Sequence, residues 1–361
     1  MGRYIVKRLL LLVPTLFGII LVNFVIVQFA PGGPVEQIIA QVTVGNMSTT
    51  SGISGGGDTG LSSSARETGV SLGSYGLDPD LIADLERQFG FDKPAHVRFA
   101  MMVWNYIHLD FGTSFFQDRP VLGLVVERMP VSISLGLWSL LLIYSISIPL
   151  GVAKAVRDGS KFDFWTSSVI FVGYAIPGFL FAILLIVVFA GGNYFEWFPL
   201  RGLTSSDWSS MSWPDRIRDY FWHLVLPVTS LTIGGFATLT MLTKNSFLEE
   251  ISKQFVLTAR AKGLTEQRVL YGHVFRNAML IVIAGFPAAF IGILFTGSLL
   301  IEVIFSLDGM GLLSYEAVIK RDYPILFGTI FIFTLIGLVM RLVADLTYVL
   351  IDPRIDFEAR S

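Results

Sequence analysis

Six stretches of the chain carry no charged side chain and are dominated by apolar residues: Leu9–Val35, Met129–Ala153, Phe164–Phe195, Tyr220–Thr243, Asn277–Ile301 and Tyr323–Met340. Crossing a bilayer takes about 20 mainly apolar residues in a helix. The pattern therefore predicts an all-α polytopic membrane protein with six transmembrane helices. Gln37–Gly57 is also uncharged, but it is rich in Gly, Ser and Thr and is not read as a span. The first run follows Arg3, Lys7 and Arg8 as a secretory signal would. Its apolar part is too long and lacks an Ala-x-Ala site, so a retained anchor is expected.

The positive charges orient these spans. With the N-terminus in the cytoplasm, the inner segments 1–8, 154–163, 244–276 and 352–361 hold 14 Lys/Arg. The outer segments 36–128, 196–219 and 302–322 hold 11 over more than twice the length. Inner loops carry the excess of Lys and Arg, so both termini are placed inside. Four regions follow: an anchor over 1–35, an outer loop over 36–128, a membrane core over 129–352 with a cytoplasmic loop at 244–276, and a tail at 353–361.

Within the outer loop, residues 42–76 read as a flexible segment. A helical part is expected over 78–116, opened by Asp78-Pro79 as cap and first position. Leu81, Leu85 and Phe89 carry its helical spacing, and Gly90 closes that first helix. Trp104, Tyr106 and Phe111 suit an interfacial position, as do Trp197, Trp208 and Trp213 in the second outer loop.

Composition narrows the chemistry. Only 15% of residues are charged, against roughly 25% in an ordinary soluble domain. A net charge of −2 gives no reason to expect a nucleic-acid partner. The absence of cysteine removes disulfides, thiolate metal sites and a Cys nucleophile, and four scattered histidines leave little for a metal centre. No Gly-Lys dipeptide occurs, so a phosphate-binding G-x-x-x-x-G-K-[ST] loop is impossible. No catalytic, metal or cofactor residues are assigned.

The stretch with most candidate chemistry is the basic Phe255–Ile283. Ala259, Ala261 and Gly263 offer a surface that a second protein can approach closely. Gly263 interrupts helix propensity, and Leu264-Thr265-Glu266 can restart a helix with Thr265 as cap. Two short helices about a turn are expected there. An ordinary basic cytoplasmic loop is the alternative reading.

Thr258-Ala259-Arg260-Ala261-Lys262-Gly263 followed by Arg276-Asn277-Ala278 resembles the "EAA" loop of binding-protein-dependent ABC importer permeases, in its dipeptide/oligopeptide/nickel version. Further resemblances run in order along the chain: Pro31-Gly32-Gly33-Pro34, Phe89-Gly90-Phe91-Asp92-Lys93-Pro94, Leu109–Ser114, Arg128-Met129-Pro130, Gly297–Leu313 and Asp352-Pro353-Arg354. Thr258 stands where the loop's name-giving Glu would be, and Ile281 replaces a proline frequent after Arg-Asn-Ala-x-Leu. The long Gly/Ser-rich outer loop is most similar to the Yej-type branch, associated with oligopeptides and microcin C-like peptides.

The resemblance implies a type I ABC importer permease fold. It implies half of a translocation pathway for peptides, completed by a second six-helix permease subunit. ABC ATPase subunits holding ATP and Mg²⁺, a periplasmic peptide-binding protein and membrane lipid complete the expected partners, in a bacterial inner membrane. It assigns the ATPase-coupling loop to Thr258, Ala259, Arg260, Ala261, Lys262, Gly263, Leu264, Thr265, Glu266 and Gln267.

Helix breakers and hydroxyls nominate the path. Tyr174 and Pro177 flank a mid-span break, Phe286 and Pro287 a second one, and Thr238 and Thr296 add hydroxyls. The break at Pro177 is read either as a structural kink or as a path-lining segment. His223 reads as an interfacial hydrogen-bonding group. Arg341 and Asp345, four apart on one helix face, suit an ion pair near the inner surface. An ion-coupled secondary transporter needs carboxylates inside the membrane, and only Glu302, Arg341 and Asp345 stand at span edges. Nickel or another family substrate is the alternative cargo.

Overall fold

The structure, a computed structural model, describes residues 2–29, 93–192, 194–296 and 299–351. The expectations for 30–92, for Gly297-Ser298 and for the tail 352–361 lie outside them. Helices in chain order are α1 (Gly2–Phe29), α2 (Ala95–Ile107), α3 (Val121–Val156), α4 (Lys161–Ala175), α5 (Gly178–Phe189), α6 (Trp213–Ile251), α7 (Gln254–Ala261) and α8 (Glu266–Val269), followed by α9 (Phe275–Thr296), α10 (Leu299–Ile304), α11 (Met310–Lys320) and α12 (Tyr323–Ile351). Among the described residues, β structure is limited to one isolated bridge, Thr113 with Pro120.

Among the described residues, five helices are long and apolar enough to span a membrane, and α4 with α5 makes a sixth if the bent pair is one span. That pair turns through 93° at Ile176–Pro177. The expected kink is thus a full corner, because Pro177 has no N–H to continue α4 and starts a new helix instead. The Leu180 and Phe181 amides return to the Pro177 carbonyl. Helices α3 and α6 run to 36 and 39 residues. At about 1.5 Å per residue each exceeds about 50 Å, longer than the roughly 30 Å hydrocarbon core of a bilayer.

The chain divides into two compact units. The larger comprises Met1–Leu12, Gly123–Lys320 and Ile332–Ser361. Its first core cluster joins Ile143, Val152 and Ala155 of α3 to Leu239 and Phe247 of α6 and to the loop beyond α6. A second joins Leu135 of α3, Ala182 and Leu185 of α5, Leu224 and Val228 of α6 and the Ile301–Leu307 segment. Gly151 lets α3 and α6 touch: a Cβ there would stand 2.6 Å from the Thr243 Cβ. Small residues permit such approach in a bilayer, where packing replaces the hydrophobic drive. Asp345 pairs with Arg8 of α1 at 3.1 Å. The expected partner Arg341 is exposed instead, so local spacing misassigned this pair.

The smaller unit comprises Val13–Leu122 and Arg321–Phe331. Helix α2 lies on α1, with the Phe99 ring 5.5 Å from Phe17 and 5.3 Å from Phe24, and Arg98 donating to Gln28 Oε1 at 2.8 Å. The helical part expected over 78–116 ends at Ile107 among the described residues. Leu109 and Gly112 take positive φ, and Asp110 accepts from the Gly112 amide at 3.0 Å. Ser114 Oγ donates to the buried Asp322 at 2.5 Å and accepts from the Phe116 and Gln117 amides. Tyr106 and Phe111 are buried against Phe331 rather than interfacial, while Trp104 is 65% exposed.

Candidate coupling loop and translocation path

Helix α6 ends at Ile251, and the chain turns through Ser252 and Lys253 into α7. Glu250 hydrogen-bonds Lys253, and with Glu249 it pushes the Lys253 pKa up. In α7, Val256 and Ala259 recur at a spacing of three, which sets them on one helix face. Both are buried in the cluster around Phe247. Leu257, Thr258, Arg260 and Ala261 face outward. Ala259 therefore belongs to the loop's own core and not to its surface.

Gly263 has φ +80, the left-handed conformation that ends a helix at lowest cost for glycine. The Lys262, Gly263 and Leu264 amides return to the carbonyls of Thr258, Arg260 and Ala259. Thr265 holds the N-cap position of α8 with extended backbone, but its hydroxyl makes no capping bond. Arg260 instead clamps the turn, with Nε 2.9 Å from Glu266 Oε1 and Nη2 3.1 Å from Oε2. This bidentate geometry is specific to a guanidinium. After α8, a single π turn over Leu270–Val274 leads into α9. It places Val269, Val274, Ala278 and Val282 on the same core. Helix α9 continues through Ile281, which is 55% exposed. Lys262, Gly263, Thr265, Gln267, Arg268 and Tyr271 are exposed and Leu264 is half-buried. Two short helices thus present a basic face on an apolar foundation.

The path candidates are spread over three elements. Tyr174, 59% exposed, and Pro177 sit at the α4–α5 corner. Thr238 is exposed on α6, whereas Thr240 and Thr243 are buried. On α9, Phe286 meets the Tyr144 ring edge-on at 5.3 Å, and Pro287 is buried. Thr296 closes α9, and its side chain lies outside the described residues. His223 is buried with Nδ1 2.8 Å from the Asp219 carbonyl.

Two constellations escaped sequence reasoning. Glu302, expected at a span edge, is fully buried in the short helix α10. Its carboxylate accepts from Ser132 Oγ at 3.2 Å and from the Leu312 amide at 2.8 Å, in the first turn of α11. Such amides and the helix dipole suit an anion. Ser132 Oγ in turn accepts from the Met310 amide at 2.8 Å, and Arg128 pairs with Asp308 at 2.5 Å. Arg128 and Ser132 on one side and Glu302 to Leu312 on the other therefore form one interlocked clasp. The second constellation is ionic: Lys154, Asp158, Asp163 and Lys244. In the sequence these charges signalled only which side faced inward.

A family model described as "Binding-protein-dependent transport system inner membrane component" matches residues 147–357, which contain the coupling loop, the corner and the Glu302 segment. The chain belongs to this family. It is a multi-pass permease of the bacterial inner membrane, with the helical architecture expected. The permease is 61% identical, over the whole of both chains, to the "Peptidoglycan transport system permease protein YejB" of Agrobacterium fabrum. It is 58% identical, again over the whole of both, to the "Inner membrane ABC transporter permease protein YejB" of Escherichia coli O157:H7. Identity to the "Oligopeptide transport system permease protein AppB" of Bacillus subtilis is 33%, covering 99% of this chain and 100% of that one.

Proposed function

We propose that this permease forms half of the translocation pathway of an ATP-driven importer for peptide-bearing cargo. A second six-helix permease completes the pathway, and a solute-binding protein delivers cargo from outside. ATP and Mg²⁺ are held by separate ATPase subunits, which dock on the 258–267 loop. The observation that carries this reading is the loop itself. Val256, Ala259, Val269 and Val274 root it in the core of α3, α6 and α9, so a push on its exposed face moves spans. Docking must differ between inward- and outward-facing states for ATP to bias them.

Peptidoglycan-derived peptides and oligopeptides are the cargo classes for which similar permeases are named. The four charged side chains of the inner ionic group and Glu302 are all engaged within the chain, which suits a path for chemically varied peptides. The reading is tested by purifying the tagged permease in detergent and identifying co-purifying chains by mass spectrometry. An ATPase and a second permease are expected, followed by ATP-dependent uptake of a labelled peptidoglycan peptide into proteoliposomes carrying the complex and its binding protein. A stable complex without a nucleotide-binding chain overturns it.

A further inference from the structure

Helix α4 is capped by Ser160, whose hydroxyl accepts from the Asp163 amide at 3.2 Å. Asp163 then joins two lysines from two other helices. Its Oδ2 accepts from Lys244 Nζ of α6 at 2.7 Å, and its Oδ1 lies 2.8 Å from Lys154 Nζ of α3. Lys244 also reaches Asp158 Oδ1 at 2.8 Å, in the turn between α3 and α4. Lys154 is fully buried and directs its three N–H donors to the Asp163 carbonyl, Thr166 Oγ1 and Ser167 Oγ, at 2.9, 2.8 and 2.7 Å, so its approach to Asp163 Oδ1 is a charge contact. Two cations and two carboxylates thus cancel, and the Lys154 ammonium meets only the first two turns of α4.

The same ends of α3 and α6 carry the coupling loop. Val152 and Ala155 flank Lys154, and Phe247 follows Lys244 by three residues; all three lie in the cluster with Val256, Ala259 and Val269. Gly151 brings α3 into close approach with α6 at Thr240 and Thr243, beside Lys154 and Lys244. A buried ion pair adds little net stability, because desolvation offsets its attraction, but separating it leaves an uncompensated charge. Its effect is to fix register.

We infer that Asp163 is a positioning residue that locks the start of α4 to the coupling loop, so that loop displacement is delivered undiminished to the corner at Ile176–Pro177. The inference rests on the docking reading above for the source of the displacement. Beyond the corner, α5 packs on α6 through the second cluster, with Ala182 and Leu185 against Leu224 and Val228. The corner, where Gly173 accepts only a 3.3 Å bond from Ile176, is where the two halves of the bent pair can change angle. Tyr174 and Pro177 would then move with each ATP cycle.

The chain has no native cysteine, so pairs of introduced cysteines report distances cleanly. Spin labels at Gln254→Cys with Trp165→Cys, and at Trp165→Cys with Leu184→Cys, are read by pulsed EPR in the assembled complex in lipid discs, without nucleotide and with ATP plus vanadate. The first distance is expected to stay fixed and the second to shift. Asp163→Asn, and the apolar pair Lys154→Met with Asp163→Leu, broaden the first distance and raise ATP consumed per cargo about fivefold or more. The double variant removes Lys154 and Asp163 together and leaves Lys244 paired with Asp158, which is compatible with folding. A first distance that shifts with ATP in the intact network, or normal coupling in the folded double variant, overturns the inference. Failure of docking is seen separately, as loss of the ATPase from the purified complex. In that case the permease alone still tests the lock, through a narrow first distance that the double variant must broaden.

Discussion

The Leu312 amide donates to the Glu302 carboxylate at 2.8 Å, ten residues along the chain, and two glycines make room for it. A Cβ on Gly309 would stand 2.4 Å from Glu302 Cδ, and one on Gly311 3.0 Å from its Oε2. The hairpin from α10 to α11 is thus wound around a single buried anion. Glu302→Ala strands the Ser132 hydroxyl and the Leu312 amide, each costing about 1–3 kcal/mol. Glu302→Gln keeps an acceptor and costs less. Thermal unfolding of the detergent-solubilised permease checks the order: wild type, then Gln, then Ala and Gly309→Ala.

Gly263 has nothing within 4 Å of a built Cβ, so a side chain there meets open space. The constraint is its φ of +80. Gly263→Asn, which tolerates the left-handed region, is expected to retain the ATPase. Gly263→Val costs of order 1–3 kcal/mol in backbone strain and releases it. Quantifying the co-purified ATPase against the permease reads this out; equal retention in both variants contradicts the role of the turn.

The two kinds of ion pair separate by burial. Arg8 and Asp345 are 45% and 18% exposed, so Arg8→Ala changes stability by under about 1 kcal/mol. Asp163→Ala leaves Lys154 buried without its carboxylate, which costs about 3–5 kcal/mol. Paired thermal melts at one ionic strength check the contrast, and added salt lowers only the Arg8 contribution.

Ser114 ties the 109–120 loop to Asp322. Ser114→Ala removes the donor to a carboxylate that is 2% exposed, at a cost of about 1–3 kcal/mol. The loss is local. Hydrogen exchange is expected to speed up over 109–120 and at the start of α12 while the coupling loop is unchanged.

Much of this fold was legible because membrane spans announce themselves through charge-free runs. The turn at Gly263 was legible because glycine is the residue most at ease at its φ. Pairings that depend on which helices meet were not. Arg341 is the nearest cation to Asp345 along a helix, yet Arg8 of another helix takes it. Phe111 and Tyr106 look like interface aromatics until Phe331 packs against them. Pro177 announced a break, but a proline fixes only where a helix stops, not the 93° turn that follows. Ala259 and Ala261 are alike in sequence and are separated only by the helix face that meets Phe247.

The central claim is that the exposed side of the 258–267 loop binds an ATPase. Ala261→Cys, the sole cysteine in the chain, carries a short photo-crosslinker in native membranes, and the adduct is identified by mass spectrometry. The account predicts one dominant adduct with a nucleotide-binding subunit, its yield changing with ATP and vanadate. Adducts confined to lipid or to membrane proteins without a nucleotide site, in cells actively importing peptide, would contradict it.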